Sequence, residues 1–296
     1  MRSAGRRIVA VIDEAINLIV LTVVLALFLF GAYILWDSGQ IAKEADAVRY
    51  AQYKPTESEH LTFSQLCERN PDVFGWLTVD DTKIDYPVVQ GADNFEYINL
   101  SAEREFSLSG SIFLDFRNSR EMTDRVSIFY GHHMERDNMF GCFDAFADED
   151  FFAAHQTGSL FYNGQNHALR IFAFLRADGY DQTVYAPETS DAESGAYLRG
   201  LLELAEQKSD ALPEEGERIV LLSTCASSET NGRMILAAAV SARPEPAAAD
   251  TAAQAARRHS LWGIPYAVWI ALVLLVLLLT IYWRHRKSNA KKESSR

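Results

Sequence analysis

Residues 219–225 read IVLLSTC, an apolar run that ends on Ser223, Thr224 and Cys225. The chain has two other cysteines: Cys67 in FSQLCERN shares a helical face with Phe63 and Leu66, and Cys142 in MFGCFDAF is surrounded by apolar residues. Those two read as buried small hydrophobes. Cys225 differs, because its neighbours are polar and it stands at the end of an element, where a nucleophile is reachable. Seven residues, ASSETNG, follow it, and a second strand-like run then opens on Arg233. So short a connection implies an antiparallel hairpin. Cys225 and Arg233 then face each other at its mouth, with Cβ atoms roughly 4.5–5.5 Å apart. A guanidinium there favours a thiolate and suits a developing oxyanion. Taken alone, Arg233 is equally an ordinary surface residue at a strand start.

The second chemical element is FYGHHMERDNMFG, residues 129–141, in which a strand-like run ends on His132 and His133. Histidine is the usual proton-transfer partner of a nucleophilic thiol. On extended backbone the two rings point to opposite faces, so only one addresses Cys225. A pair of surface histidines is the competing reading. The remaining histidines of this region, His60, His155, His167 and His259, are scattered without an HxH or HExxH spacing. Neither a metal nor another cofactor is expected. An odd number of cysteines argues against a disulfide scaffold.

The elements that must position these groups are mostly strands. Eight short β-branched or aromatic runs, bounded by Gly, Asp, Asn or Pro, occupy residues 75–79, 84–90, 109–116, 125–131, 158–163, 167–177, 218–225 and 233–242. That number in one domain predicts a closed barrel or a sandwich. Two helices are expected, Asp144–His155 and Ser190–Gln207. In the second, Tyr197, Leu198, Leu201, Leu202 and Ala205 fall on one face.

Two further segments are long enough to cross a bilayer. Ala15–Trp36 has 22 residues and Gly263–Trp283 has 21, all uncharged. Each spans roughly 30 Å as a helix. Tyr33, Trp36, Trp262, Tyr282 and Trp283 stand near the predicted interfaces. Ala15–Trp36 is long for a signal peptide, and no small-x-small cleavage pattern follows it, so it reads as an uncleaved anchor. Arg2, Arg6 and Arg7 precede the first span; Arg284, Arg286, Lys287, Lys291 and Lys292 follow the second. Both termini are therefore expected in the cytoplasm and the middle outside. The 296-residue chain carries a net −12; removing the +1 of residues 1–14 and the +5 of residues 284–296 leaves −18 between them. So acidic an outer segment excludes nucleic acid as partner. The expected organisation is a cytoplasmic N-terminus at 1–14, a span at 15–36, a helical stalk at 37–60, the catalytic domain at 61–243, a linker at 244–262, a span at 263–283 and a basic tail at 284–296.

YGHHM with MFG, then LLSTC, then Arg233, in that order, resembles the sortase family and within it class B. The resemblance covers roughly residues 61–241 and includes NPDVFGWLTVDDTKIDYPVVQGADNFEY and GSIFLDFRN. It implies a mainly β fold, a closed eight-stranded barrel with peripheral helices, here flanked by two transmembrane helices. It implies a membrane-anchored cysteine transpeptidase of mainly Gram-positive bacteria. Such an enzyme cuts the C-terminal sorting signal of secreted proteins and passes the acyl group to an amine on a cell-wall peptidoglycan precursor or on a pilin. By motif, Cys225 is the nucleophile, His132 the proton-transfer group and Arg233 the oxyanion or positioning group. Ser223 and Thr224 are assigned to substrate binding, and His133 to no catalytic role. The second span departs from class B, where an N-terminal anchor alone is usual. It is more typical of pilus-assembling relatives, so wall precursor and pilin lysine both stand as acceptors.

Two other classes compete. A papain-like peptidase would place Cys before His, whereas here His132 precedes Cys225. A non-enzymatic two-span surface protein would make Cys225 incidental.

Overall fold

The structure, a computed structural model, describes residues 2–55, 61–214, 217–225 and 231–244. The described residues divide into two units after Gln40. The first unit holds most of one long helix, α1 (Arg2–Glu44). Its Val11–Glu44 stretch is long and apolar enough to cross a membrane, with a mean hydropathy of 2.8 in its most apolar window and exposed side chains. The expected first span lies inside it. The expected linker, second span and basic tail, apart from Pro244, lie outside the described residues.

The second unit is a barrel. Its strands are β1 (Val73–Val79), β2 (Asp85–Val89), β3 (Ile112–Leu114), β4 (Val126–Tyr130), β5 (Thr157–Tyr162), β6 (Gln165–Asp178), β7 (Ala205–Lys208), β8 (Arg218–Cys225) and β9 (Gly232–Pro244). The order is β5-β1-β2-β3-β4-β8-β9-β6, and β6 pairs back onto β5. Eight strands thus close a barrel, and β7 hangs on the outer side of β6. All pairs are antiparallel except β2–β3 and β4–β8. Each of the eight predicted runs supplies one barrel strand.

Alternation explains why β8 reads as unbroken apolar sequence. Val220 and Leu222 are fully buried with Leu236, Ala238 and Val240 in the main core. Ile219 and Leu221 face the other way, into a second core with Val184, Leu201 and Ile235. A strand buried on both faces loses the apolar–polar alternation of an exposed sheet. The second core is closed by helix α4 (Ser194–Leu204), whose Tyr197, Leu198 and Leu202 pack on it with Leu201.

Both predicted helices are shorter than expected. The one placed at Ser190–Gln207 runs only over Ser194–Leu204, because Ala205 is extended (φ −67°, ψ 128°) and pairs with Leu175 as part of β7. The edge of β6 offers open backbone hydrogen-bonding groups there, and these outcompete another helical turn. The one placed at Asp144–His155 is cut at Asp148, which is extended and accepts a hydrogen bond from the Phe151 amide. Asp148 therefore caps a short helix α3 (Glu149–Ala154), and a 3₁₀ turn over Gly141–Ala147 precedes it.

The segment before the barrel is tied to it. The Ala42 and Ala45 carbonyls accept from Asn138 Nδ2 at 3.0 Å and the Tyr86 hydroxyl at 2.8 Å. Arg49 and Arg69 share Glu103 and Glu105, and Arg69 ends helix α2 (Leu61–Arg69).

Candidate active site

The site lies where β4, β8 and β9 end together. On one side, β8 and β9 are antiparallel and Cys225 is the register partner of Arg233. The hairpin argument from sequence therefore describes the backbone. The connection is one residue shorter than expected, since β9 begins at Gly232.

On the other side, β4 runs parallel to β8. Val126 pairs with Ile219 and Tyr130 with Ser223, and the Gly131 amide donates to the Ser223 carbonyl at 3.1 Å. Two residues beyond that last pair stand His132, just past the end of β4, and Cys225, at the end of β8. His132, about 90 residues away in sequence, is thus brought with Cys225 and Arg233 to one end of three adjacent strands.

His132 is half-buried, and its Nε2 lies 2.8 Å from the Ile98 carbonyl oxygen. A carbonyl only accepts, so Nε2 carries the hydrogen and donates it. In the neutral ring the lone pair is then on Nδ1. The neighbouring ring is used differently: His133 Nε2 lies 2.7 Å from Asp144 Oδ2. The segment after the histidines is tightly folded. Arg136, Asp137 and Met139 have φ of 61°, 59° and 52°, and a Cβ on Gly141 would lie 2.0 Å from the Met134 carbonyl oxygen. Only glycine fits at that position.

Ser223 and Thr224 point to opposite faces of β8. Ser223 is buried, and its hydroxyl is 2.8 Å from the Tyr185 hydroxyl. Thr224 pairs with Met234 on the barrel-interior face, is 2% exposed, and its hydroxyl has no partner among the described residues. The Tyr185 ring stacks on Tyr130, with centroids 6.2 Å apart and planes at 19°. The Tyr130 hydroxyl donates to Asp115 at 2.9 Å. Burial pushes the Tyr130 phenol up, and the Asp115 charge beside it adds to that. For Asp115 itself, burial opposes ionisation, but the hydrogen bonds from Arg117, Asn94 and Tyr130 win and hold its carboxyl below the usual range.

Motif reasoning missed three of these participants: the Ile98 carbonyl, Tyr185 and Asp115. A main-chain acceptor leaves no signature in sequence. Tyr185 lies in a loop without periodicity. Asp115 did leave a signal, a carboxylate straight after the apolar run SIFL with an arginine two residues on.

The other described thiols are unsuited to catalysis. Burial raises the pKa of Cys67 and pushes that of Cys142 up to about 12. Neither is in a disulfide.

No family model matches the chain. Individual proteins do. Sortase B of Listeria monocytogenes is 37% identical over 175 residues, which is 58% of this chain and 70% of the relative. Sortase B of Staphylococcus aureus is 31% identical over 186 residues, 62% of this chain and 76% of the relative. The crystal structure of a Streptococcus pyogenes class B sortase involved in pilus biogenesis is 38% identical, with a TM-score of 0.56, covering 61% of this chain and 98% of that one. With the closed eight-stranded barrel, these similarities establish that the chain belongs to the class B sortases, a family of cysteine transpeptidases.

Proposed function

We propose that the protein cleaves the C-terminal sorting signal of secreted proteins through a thioester on Cys225 and transfers the acyl group to an amine of a cell-wall precursor. The observation that carries this reading is the register: Cys225 opposite Arg233 on one side, with His132 at the end of the strand paired on the other. The Cys225 thiol gives its proton to Nδ1 of His132, and the resulting thiolate attacks the scissile carbonyl. Arg233 stabilises the oxyanion, in a setting where one well-placed donor is worth roughly 10²–10³ in rate. His132 protonates the leaving amine through Nδ1, since Nε2 is held by Ile98. The thioester forms as the C–N bond breaks. An incoming amine then gives its proton to His132 and attacks the thioester, and the new amide forms as the Cys225 thiolate leaves. Ser223 and Thr224 border the bound substrate, Thr224 through its backbone.

The reading includes two membrane spans, Ala15–Trp36 within α1 and Gly263–Trp283, with both termini in the cytoplasm and the barrel outside. The charge pattern and the apolar α1 support it. A second acceptor, a pilin lysine, is favoured by the likeness to a class B sortase involved in pilus biogenesis.

The test uses the full chain in detergent micelles, as wild type and Cys225→Ala. Each is incubated with LPxTG-type and NPxTx-type peptides and a short amine, and products are read by mass spectrometry. An amide-linked product that needs Cys225 is expected. Free acid alone in the presence of the amine, or no acyl adduct on Cys225 with any peptide, overturns the reading.

A further inference from the structure

Asp115 follows β3 directly and is fully buried. An ionised carboxylate in that position is costly unless its lone pairs are used. Here five donors use them. Arg117 supplies its amide at 3.0 Å, Nε at 2.9 Å and Nη2 at 2.9 Å. Asn94 Nδ2 donates at 3.0 Å and the Tyr130 hydroxyl at 2.9 Å.

These donors come from separate parts of the chain. Asn94 lies between β2 and β3, and its Oδ1 also accepts from the Phe116 amide at 3.0 Å. The same connection carries Ile98, whose carbonyl holds His132. Tyr130 ends β4 and stacks on Tyr185, which lies between β6 and α4 and bonds Ser223. Arg117 also reaches Glu188 of that second connection at 3.6 Å. Glu188 is exposed, so this ion pair directs more than it stabilises. One carboxylate therefore joins the two connections that flank the end of β8.

We propose that Asp115 is a positioning residue that locks the β2–β3 and β6–α4 connections into one geometry and so shapes the wall along which an extended peptide reaches Cys225. It touches no reacting atom and acts through Asn94, Tyr130 and Tyr185. The proposal rests on the transpeptidase reading only for its kinetic consequence.

The experiment therefore has two readouts on the full chain in detergent micelles. The first is amide hydrogen exchange in wild type, Asp115→Asn and Tyr130→Phe. Asp115→Asn is expected to speed exchange at least tenfold in residues 92–98 and 181–189 and to leave β1 and β5 unchanged. Tyr130→Phe removes a single hydroxyl and is expected to loosen 181–189 alone. The second readout is peptide kinetics beside alkylation of Cys225 by iodoacetamide. KM for the peptide should rise about tenfold in both variants, while the alkylation rate stays within about twofold. Unchanged exchange at both connections overturns the proposal. So does a general loss of protection or of alkylation, which would mark Asp115 as merely structural. Local exchange changes in a chain whose wild type turns over no peptide would uphold the lock and sink the transpeptidase reading instead.

Discussion

The Nε2 of His132 and the carbonyl oxygen of Ile98 are 2.8 Å apart, and 34 residues separate them in the chain. This bond sets the tautomer of the ring, and the exchangeable proton of the reaction then belongs on Nδ1. Replacing His132 by Nδ1-methylhistidine should lower kcat by about 10²–10⁴, the usual contribution of a general acid–base group. Nε2-methylhistidine breaks only the contact with Ile98 and should retain a measurable fraction of the rate. Equal loss with both analogues, measured as acyl-enzyme formation, would contradict the assignment.

Arg233 is hemmed in by Gly179. A Cβ at that position would lie 2.9 Å from Arg233 Nε and 3.3 Å from the Asn231 carbonyl oxygen. The side chain can swing away more easily than backbone can shift, so Gly179→Ala should fold and displace the guanidinium. The expected result is a melting temperature near wild type with kcat reduced tenfold or more. A variant with an unchanged kcat would show that Arg233 is not needed in its present place.

Thr224 buries a hydroxyl that has no partner among the described residues. Such a group costs about 1–3 kcal/mol. Valine has nearly the same shape, so Thr224→Val should leave the melting temperature unchanged or raise it. Because the hydroxyl faces the barrel interior, kcat/KM should change less than about threefold. A tenfold loss would mean that the side chain itself reaches the substrate.

Asp115 predicts how stability depends on pH. Its carboxyl is held below the usual value in the folded protein, against about 3.9 in the unfolded chain. Its contribution is therefore present above about pH 4 and is lost as pH falls through the lower, folded value. Denaturant midpoints measured from pH 6 to pH 2 should fall in wild type. They should fall less steeply in Asp115→Asn, from a lower starting stability. Parallel curves would show that other carboxylates govern the acid transition.

Much of the barrel was legible in the chain because it is written locally. Apolar runs of strand length, interrupted by turn residues, mark the eight barrel strands. The hairpin that pairs Cys225 with Arg233 is legible for the same reason, since a short connection leaves two strands little choice but to be antiparallel. β7 was not legible, because AEQK reads as the end of a helix until the open edge of β6 lies beside it. The break at Asp148 was missed because its capping bond outweighs the helical pattern around it.

What sequence alone determined, then, is everything that rests on residue type and near neighbours: the strand inventory, the apolar N-terminal helix, and the candidate groups Cys225, His132 and Arg233. Tertiary structure decided how these meet. The parallel pairing of β4 with β8 joins segments about 90 residues apart, and nothing local encodes it, because burial on both faces is satisfied by many partners. The tautomer of His132 depends on a main-chain oxygen, which every residue type possesses equally. The link from Asp115 through Tyr130 and Tyr185 to Ser223 exists only because the strand order β3-β4-β8, with the β6–α4 connection against it, sets these segments side by side.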